Sequence, residues 1–297
     1  MAGAPGGPSV LRIPQSARLE LLACVPEAPK EGAPALLFIH GAFAGAWCWA
    51  EHFLPWFARA GWRAYALSLR AHGGSPLPAG MPQDDPAHPG ASIADYVTDL
   101  AEAVGVVAAL EGGAPALIGH SMGGFVALKY IEGGARVPAL ALMASAPPQG
   151  LLGSQMLMAM RSPAYFSELN QALNSKSADF AQGSADLYGR ILFATRPAPE
   201  DLARWQRLSC PESQRAVWDM TLGALPNPFA LQAALRGLRL GWFAPGADAL
   251  IAIEQQRIGA QLLGCQPEVF EGMGHALMLE RGWERVAQRV SDWLAGG

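Results

Sequence analysis

Short apolar runs alternate with helical stretches in the first half of the chain, and this alternation restricts the possible folds more than any other feature. The runs have the composition of strands that are buried on both faces of a parallel sheet. The predicted strands are Ala35–Ile39, Arg63–Leu69, Pro115–Ile118 and Ala139–Met143, and the predicted crossover helices are Trp47–Ala60, Ser92–Leu110 and Met122–Ile131. The sequence therefore predicts an α/β fold, with a mostly parallel sheet flanked by helices and right-handed crossovers.

The second half of the chain interrupts this pattern. Residues 147–238 show helical periodicity and several prolines, with no convincing strand. Strand-like runs return at Leu240–Phe243 and Glu268–Phe270, and an amphipathic helix is predicted over Trp283–Leu294. We therefore expect three parts, which are a loose N-terminal tail (1–16), an α/β core (17–146 and 239–297) and a helical cap inserted into the core (147–238).

The composition argues against several classes of function. Hydrophobic residues make up 51% of the chain and charged residues 15%, which is ample for a large core and far from the composition of disordered proteins. The net charge is −4 and no basic run is present, so nucleic acid is not an expected partner. No apolar stretch approaches the roughly 20 residues of a spanning helix, so stable membrane insertion is not expected. The N-terminal residues lack the features of a secretory signal, so we expect a cytoplasmic protein.

The pentapeptide Gly119-His120-Ser121-Met122-Gly123 is the clearest chemical signal. In a chain with 34 glycines a GxSxG match alone is weak evidence. Its position between a predicted strand and a predicted helix is that of a nucleophile elbow, in which small flanking residues allow a sharp turn. The start of a helix also favours a developing negative charge. Ser121 is therefore the predicted nucleophile.

A serine nucleophile needs a neighbouring base, and His275 is the favoured one of six histidines. It lies in a glycine-rich loop after the last predicted strand, and loops at the carboxyl ends of parallel strands open on the same edge of the sheet as Ser121. The other histidines lie in the elbow, in a predicted helix or in earlier loops, at positions 40, 52, 72, 88 and 120.

The base in turn needs an acid that fixes its tautomer. Asp248 follows the strand-like run Leu240–Phe243 and precedes His275 by the length of one helix and one strand. The other suitable loop for an acid, Ala144–Gly150, contains neither Asp nor Glu. Asp248 is therefore the predicted acid, although a glycine-flanked aspartate also suits a simple turn.

Acyl transfer also needs N–H donors for the tetrahedral oxyanion, and one such donor contributes about 10²–10³ in rate. The loop His40-Gly41-Ala42-Phe43 follows a predicted strand and contains small residues. We assign the backbone N–H of Ala42, with Phe43 as the less favoured choice, together with the N–H of Met122. A purely structural turn is the alternative for this loop.

Four features, in this order along the chain, resemble the α/β-hydrolase superfamily from about Pro34 to the end. They are the His40-Gly41 loop, the turn Arg70-Ala71-His72-Gly73-Gly74-Ser75, which is similar to the family's R-x-H-G-x-S, the GHSMG elbow and Gly274-His275. The order nucleophile, acid, base along the chain is also that of the family. The stretch from His40 to Trp47 further resembles the corresponding loop of small esterases and hydroxynitrile lyases.

The resemblance implies a serine esterase, lipase, thioesterase or amidase that cleaves a small to medium apolar substrate through an acyl-enzyme on Ser121. It implies no metal and no organic cofactor. Epoxide hydrolases and haloalkane dehalogenases carry Asp at the position of Ser121, which argues against both.

Two alternatives stay open: a C–C bond hydrolase or hydroxynitrile-lyase-like enzyme with the same three residues, and a non-catalytic binding protein. Several large residues of the predicted cap would form an apolar, adaptable pocket, namely Met156, Met158, Met160, Met220, Trp205, Trp218, Tyr165 and Phe166.

Overall fold

An eight-stranded sheet organises the protein, whose computed structural model describes residues 9–14, 18–76, 90–174 and 185–296. The strands are β1 (Leu11–Arg12), β2 (Leu21–Cys24), β3 (Leu36–Ile39), β4 (Ala64–Leu67), β5 (Ala116–His120), β6 (Ala139–Met143), β7 (Arg239–Pro245) and β8 (Pro267–Phe270). The helices of the described ranges are α1 (Trp47–Ala50), α2 (Phe53–Arg59), α3 (Ile93–Glu111), α4 (Met122–Glu132), α5 (Leu152–Arg161), α6 (Pro163–Asn174), α7 (Ala185–Leu192), α8 (Pro199–Leu208), α9 (Gln214–Trp218), α10 (Pro228–Ala234), α11 (Ile253–Leu262) and α12 (Trp283–Ala295). Helix α9 continues into a π-helical turn, Asp219–Gly223.

The strands lie in the order β1-β2-β4-β3-β5-β6-β7-β8. From β4 to β8 all neighbours are parallel, whereas β2 is antiparallel to both β4 and β1. The predicted α/β fold with a mostly parallel sheet is therefore confirmed. Because β3 lies between β4 and β5, the loops after β3 and β5 open side by side at the carboxyl edge, where open α/β sheets bind ligands.

The two antiparallel strands at one end of the sheet, β1 and β2, were not predicted from the sequence. Leu11 and Arg12 pair with Leu22 and Ala23 of β2, so this part of the predicted loose tail (1–16) belongs to the sheet instead. Both side chains of β1 are exposed, so β1 joins the sheet through its backbone hydrogen bonds. Such a strand has no hydrophobic pattern by which the sequence could reveal it. Residues 1–8 and 15–16 of the predicted tail lie outside the described residues.

Apolar side chains on both faces of the sheet explain why the central strands read as continuous apolar runs. In β3, Leu37 and Ile39 pack with α3 and α4, whereas Leu36 and Phe38 pack with α1, α2 and α12. Successive residues of a strand point to opposite faces, so an unbroken apolar run is what a sheet covered on both sides requires.

Two helix boundaries show the local chemistry of the chain. The Ser92 hydroxyl accepts the Asp95 N–H while the Asp95 carboxylate accepts the Ser92 N–H, which is the capping box expected at the start of α3. The single helix predicted over residues 47–60 is instead two helices, α1 and α2. Pro55 lies in the first turn of α2, and because proline has no N–H it is tolerated there but would break a continuous helix.

Helices α5 to α10 separate β6 from β7, and we call residues 147–238 the helical insertion. Its described residues, 147–174 and 185–238, contain no strand. Its buried side chains join both layers of the core, among them Tyr188, Phe193, Leu202, Trp205, Ala216, Met220 and Leu231. In the ranges that the structure describes, no helix is both long and apolar enough to cross a membrane.

Candidate active site

Ser121 occupies the sharp turn between β5 and α4. Its φ of 52° and ψ of −118° are unusual for a residue with a side chain, as a nucleophile elbow requires. Neighbouring backbone holds this strained conformation, since the Ser121 N–H donates to the Met143 carbonyl at 3.0 Å. The Ser121 carbonyl also accepts the N–H of Ala146, at 3.1 Å. The end of β6 therefore fixes the elbow from one side.

The loop after β3 lies directly against the elbow. The register pairs Ile39 with Gly119, so the residues that follow both strands are neighbours. A Cβ added to Gly41 would lie 2.9 Å from the Cβ of Ser121, and one added to Gly123 would lie 2.4 Å from the Ile39 carbonyl oxygen. Glycine at both positions therefore permits a contact that any side chain would prevent.

His275 and Asp248 form a buried pair at the same edge of the sheet. The His275 Nδ1 lies 2.8 Å from the Asp248 Oδ2, and the two side chains are 3% and 0% exposed. The other carboxylate oxygen of Asp248 accepts the N–H groups of Leu250 and Ile251 at 2.8 and 3.0 Å. Asp248 is therefore held rigidly, and His275 keeps Nε2 for another partner.

Ser121 and His275 both line one cavity of about 160 Å³ between the sheet edge and the helical insertion. In the described part of the chain no hydrogen bond joins the Ser121 and His275 side chains. The two residues are related by lining the same cavity. Hydrogen bonds between a nucleophile and its base are often long in free enzymes and shorten when substrate binds.

His120, between the elbow and the histidine loop, has a role that the sequence did not indicate. Its Nε2 donates to the His275 carbonyl at 2.9 Å. Burial, together with the nearby His275, lowers the pKa of His120 well below 6.5, so its imidazole is neutral. The middle residue of the GHS sequence thus ties the loop of the predicted base to the elbow.

Glu280 is a second residue that the sequence did not single out. Its fully buried carboxylate accepts four backbone N–H groups, from Ala194 at 2.7 Å, Gly274 at 3.0 Å, Arg281 at 3.1 Å and Thr195 at 3.2 Å. It therefore joins the loop of His275 to the helical insertion. The only sequence feature that could have indicated a buried Glu280 is its position directly after four apolar residues.

The candidate oxyanion donors lie on both sides of Ser121. Ala42 and Phe43 line the cavity, and Met122 is the first residue of α4. Over the described ranges, neither the Ala42 N–H nor the Met122 N–H has a hydrogen-bond acceptor. The Phe43 N–H instead donates to a carboxylate oxygen of Glu212, at 3.4 Å.

His40, which precedes these donors, supports the loop. Its Nε2 accepts the Leu69 N–H at 3.0 Å, and its Nδ1 lies 2.7 Å from the Gly41 carbonyl. These partners require a neutral ring with the proton on Nδ1. Burial lowers the pKa of His40 to about 3, in agreement with that tautomer.

Apolar side chains dominate the cavity wall, and the helical insertion contributes many of them. Met158 and Met220 of the expected pocket residues line the cavity. Met156, Met160 and Trp218 are instead exposed to solvent, because each lies on the outer side of its helix. The cavity is thus suited to an apolar group held next to Ser121.

The fold and the site together indicate one class of protein. The sheet is mostly parallel, a strained serine lies between a central strand and a helix, and a His–Asp pair lies at the same edge of the sheet. The sequence profile of the alpha/beta hydrolase family matches residues 36–289, and the chain belongs to this family.

Solved structures share this fold across nearly the whole chain. A bromoperoxidase from Bacillus anthracis has a TM-score of 0.69 at 16% identity, with 97% of this chain and 99% of that chain covered. An esterase from Exiguobacterium antarcticum has a TM-score of 0.64 at 18% identity, with 93% and 96% covered. Epoxide hydrolase A from Mycobacterium thermoresistibile has a TM-score of 0.65 at 20% identity, with 97% and 98% covered. No curated protein sequence matches this chain.

Proposed function

We propose that the protein is a serine hydrolase that cleaves an ester, thioester or amide of a small to medium apolar substrate. Ser121 is the nucleophile, His275 the general base and Asp248 the acid that orients the base. The observation that carries the proposal is the 2.8 Å contact between His275 and Asp248, together with the apolar cavity that His275 and the strained Ser121 both line. Membership of the alpha/beta hydrolase family supports a hydrolytic reaction.

The reaction has two halves. In the first, His275 Nε2 takes the hydroxyl proton of Ser121 while the oxygen attacks the substrate carbonyl carbon. The tetrahedral intermediate collapses to an ester of Ser121, and the leaving group departs with the proton held by His275. In the second half, His275 deprotonates a water that attacks the acyl-enzyme, and the acid product leaves with Ser121 restored. Asp248 stays ionised throughout and stabilises the imidazolium.

The N–H groups of Ala42 and Met122 stabilise the oxyanion of both tetrahedral intermediates. Both lack another acceptor within the described ranges. Met122 follows Ser121 in the chain, and Ala42 follows Gly41, whose backbone lies against Ser121. The Phe43 N–H is the weaker candidate because it already donates to Glu212. Met122 is also the first residue of α4, where the helix dipole favours negative charge.

The helical insertion acts as a cap that selects the substrate. Its residues Met158 and Met220 line the same cavity as Ser121, which has room for an aliphatic or aromatic group. The apolar wall favours uncharged acyl and alcohol groups, since a charge placed there would lose its hydration without gaining a partner.

The test is hydrolysis of p-nitrophenyl esters, thioesters and anilides of increasing chain length by wild type and by Ser121→Ala. Ala fits the elbow as well as Ser does, so a folded variant with no turnover is expected. Ser121→Ala with wild-type turnover would overturn the assignment. Absence of acyl-transfer activity in the folded wild type, with cleavage of a C–C bond or a cyanohydrin, would also overturn it.

A further inference from the structure

A short segment of the helical insertion holds the loop that carries the proposed oxyanion donor Ala42. We call residues 210–213, which follow α8, the clamp segment. The Cys210 N–H donates to the Phe43 carbonyl at 2.9 Å, and the Glu212 Oε2 accepts the Phe43 N–H at 3.4 Å. Both backbone polar groups of Phe43 are therefore bound by the clamp segment.

Phe43 needs to be held in this way. Its φ of +64° lies in the left-handed region, which costs a residue with a side chain about 1–2 kcal/mol. Phe43 directly follows Ala42, so relaxation of Phe43 to an ordinary φ would rotate the adjoining peptide groups. The Ala42 N–H belongs to the preceding peptide, so the contacts of Phe43 act on its position through the peptide that joins Ala42 to Phe43.

Glu212 is itself fixed to the core. Its carboxylate accepts the Tyr96 hydroxyl at 2.7 Å and the Ser213 N–H at 2.8 Å, and lies 3.1 Å from the Nε2 of His72. Glu212 is 4% exposed and His72 is fully buried. Burial opposes protonation of His72, but Cys210 and Glu212 outweigh it and raise the pKa of His72 well above 6.5.

The clamp segment has a further anchor at the start of α3. The Ser213 hydroxyl donates to the Ala91 carbonyl at 2.6 Å and also accepts the Ala216 N–H at the start of α9. The clamp segment thus connects the start of α3 in the core to the loop after β3. A displacement of the clamp segment would therefore also displace Phe43.

We propose that Glu212 is a positioning residue that holds Phe43 in its left-handed conformation, so that the helical insertion completes the oxyanion site. This inference rests on the proposed function, because it takes Ala42 as an oxyanion donor. Glu212 touches no reacting atom and acts through Phe43. The helical insertion then takes part in both substrate selection and oxyanion stabilisation. The clamp segment holds the loop of the oxyanion donor Ala42, and other residues of the insertion line the cavity.

The test is Glu212→Gln, assayed on a matched pair of substrates, an ester and its thionoester. The thiono sulfur accepts hydrogen bonds poorly, so hydrolysis of the thionoester depends little on the oxyanion donors. Loss of one complete donor costs about 10²–10³ in kcat, so a misplaced donor should cost about 10- to 100-fold for the ester. We expect KM to change little and the ester-to-thionoester ratio of kcat/KM to fall about 10-fold or more.

Two further variants separate positioning from general stability. Tyr96→Phe removes one of the contacts that fix the same carboxylate but keeps the bond from the Phe43 N–H to Glu212, so the ratio should fall much less than in Glu212→Gln. If Glu212→Gln fails to fold because His72 loses its counter-charge, the double variant Glu212→Gln/His72→Gln removes both charges. The double variant should show the same fall in the ratio, whereas His72→Gln alone should not.

Equal losses for the ester and the thionoester in Glu212→Gln, or wild-type kinetics, would refute the positioning role. Both outcomes leave the proposed function intact as long as Ser121→Ala is inactive. An active Ser121→Ala variant would instead refute the proposed function itself, so the two failures are distinguishable.

Discussion

Replacement of Asp248 by Asn should stop turnover while it leaves the fold almost unchanged. The two carboxylate oxygens have different partners, because Oδ2 faces the Nδ1 of His275 while Oδ1 accepts the N–H groups of Leu250 and Ile251. An amide in this place must turn its NH₂ toward one of the two sets.

The cost of each orientation follows from these contacts. With the NH₂ toward the backbone, two buried N–H groups lose their acceptor, at about 1–3 kcal/mol each. With the NH₂ toward His275, those bonds survive and Nδ1 becomes an acceptor, which places the ring proton on Nε2. The second orientation costs less, so the variant should hold a histidine that cannot accept the Ser121 proton.

The expected loss in kcat is about 10⁴-fold, or about 5.4 kcal/mol at 1.36 kcal/mol for each factor of ten. The assay is hydrolysis of a short p-nitrophenyl ester under saturating substrate, with the melting temperature measured in parallel. Asp292→Asn is the matched control, because this aspartate lies exposed on α12 and should show wild-type kcat. A kcat for Asp248→Asn within a few-fold of wild type would show that another residue orients the base.

Three further predictions concern stability. Gly123→Ala should destabilise the protein by about 3 kcal/mol, because the new Cβ would lie 2.4 Å from a backbone oxygen of β3. The control Gly105→Ala, in the exposed part of α3, has free space and should stabilise the protein by about 1 kcal/mol. Equal urea midpoints for the two variants would contradict this prediction. His40, with its pKa lowered to about 3, and His120, with its pKa also well below 6.5, stay neutral when folded while the unfolded chain takes up protons below about pH 6.5. Their contribution to the free energy of unfolding is thus complete at neutral pH and falls by about 2 kcal/mol per histidine from pH 7 to pH 5. The raised pKa of His72 acts in the opposite direction, but by about 1 kcal/mol or less over this range, so a flat urea-denaturation profile would refute the prediction. Glu280→Gln should cost about 2–6 kcal/mol, since the new NH₂ leaves two of four backbone N–H groups without an acceptor, and thermal melts like those of wild type would exclude that role.

Much of the fold was predictable because local and periodic signals determine it. The apolar run of β6 coincides with the prediction over Ala139–Met143, and α3 begins after Ser92, where its capping box was expected. The antiparallel strands β1 and β2 were missed. The two side chains of β1 are exposed and leave no hydrophobic pattern, and β2 is an apolar run of only four residues. The break between α1 and α2 follows from Pro55, whose effect depends on where the preceding helix ends.

The candidate site divides in the same way. Ser121, His275 and Asp248 could be chosen from the sequence because each lies in a loop at the carboxyl end of a predicted strand. The roles of His120, Glu212 and Glu280 could not, because each binds backbone groups far away in sequence. The bond from Glu212 to Phe43, for example, spans 169 positions and requires no particular side chain at Phe43.

The most direct test of the account is the site at which a fluorophosphonate reacts with the wild-type protein, read by mass spectrometry of the intact chain and of its peptides. A serine activated by His275 and Asp248 should take up one phosphonyl group per molecule, on the peptide that contains Ser121, and His275→Ala should remain unlabelled. A stoichiometric adduct on any other residue, or no adduct on a preparation that hydrolyses esters, would contradict the account.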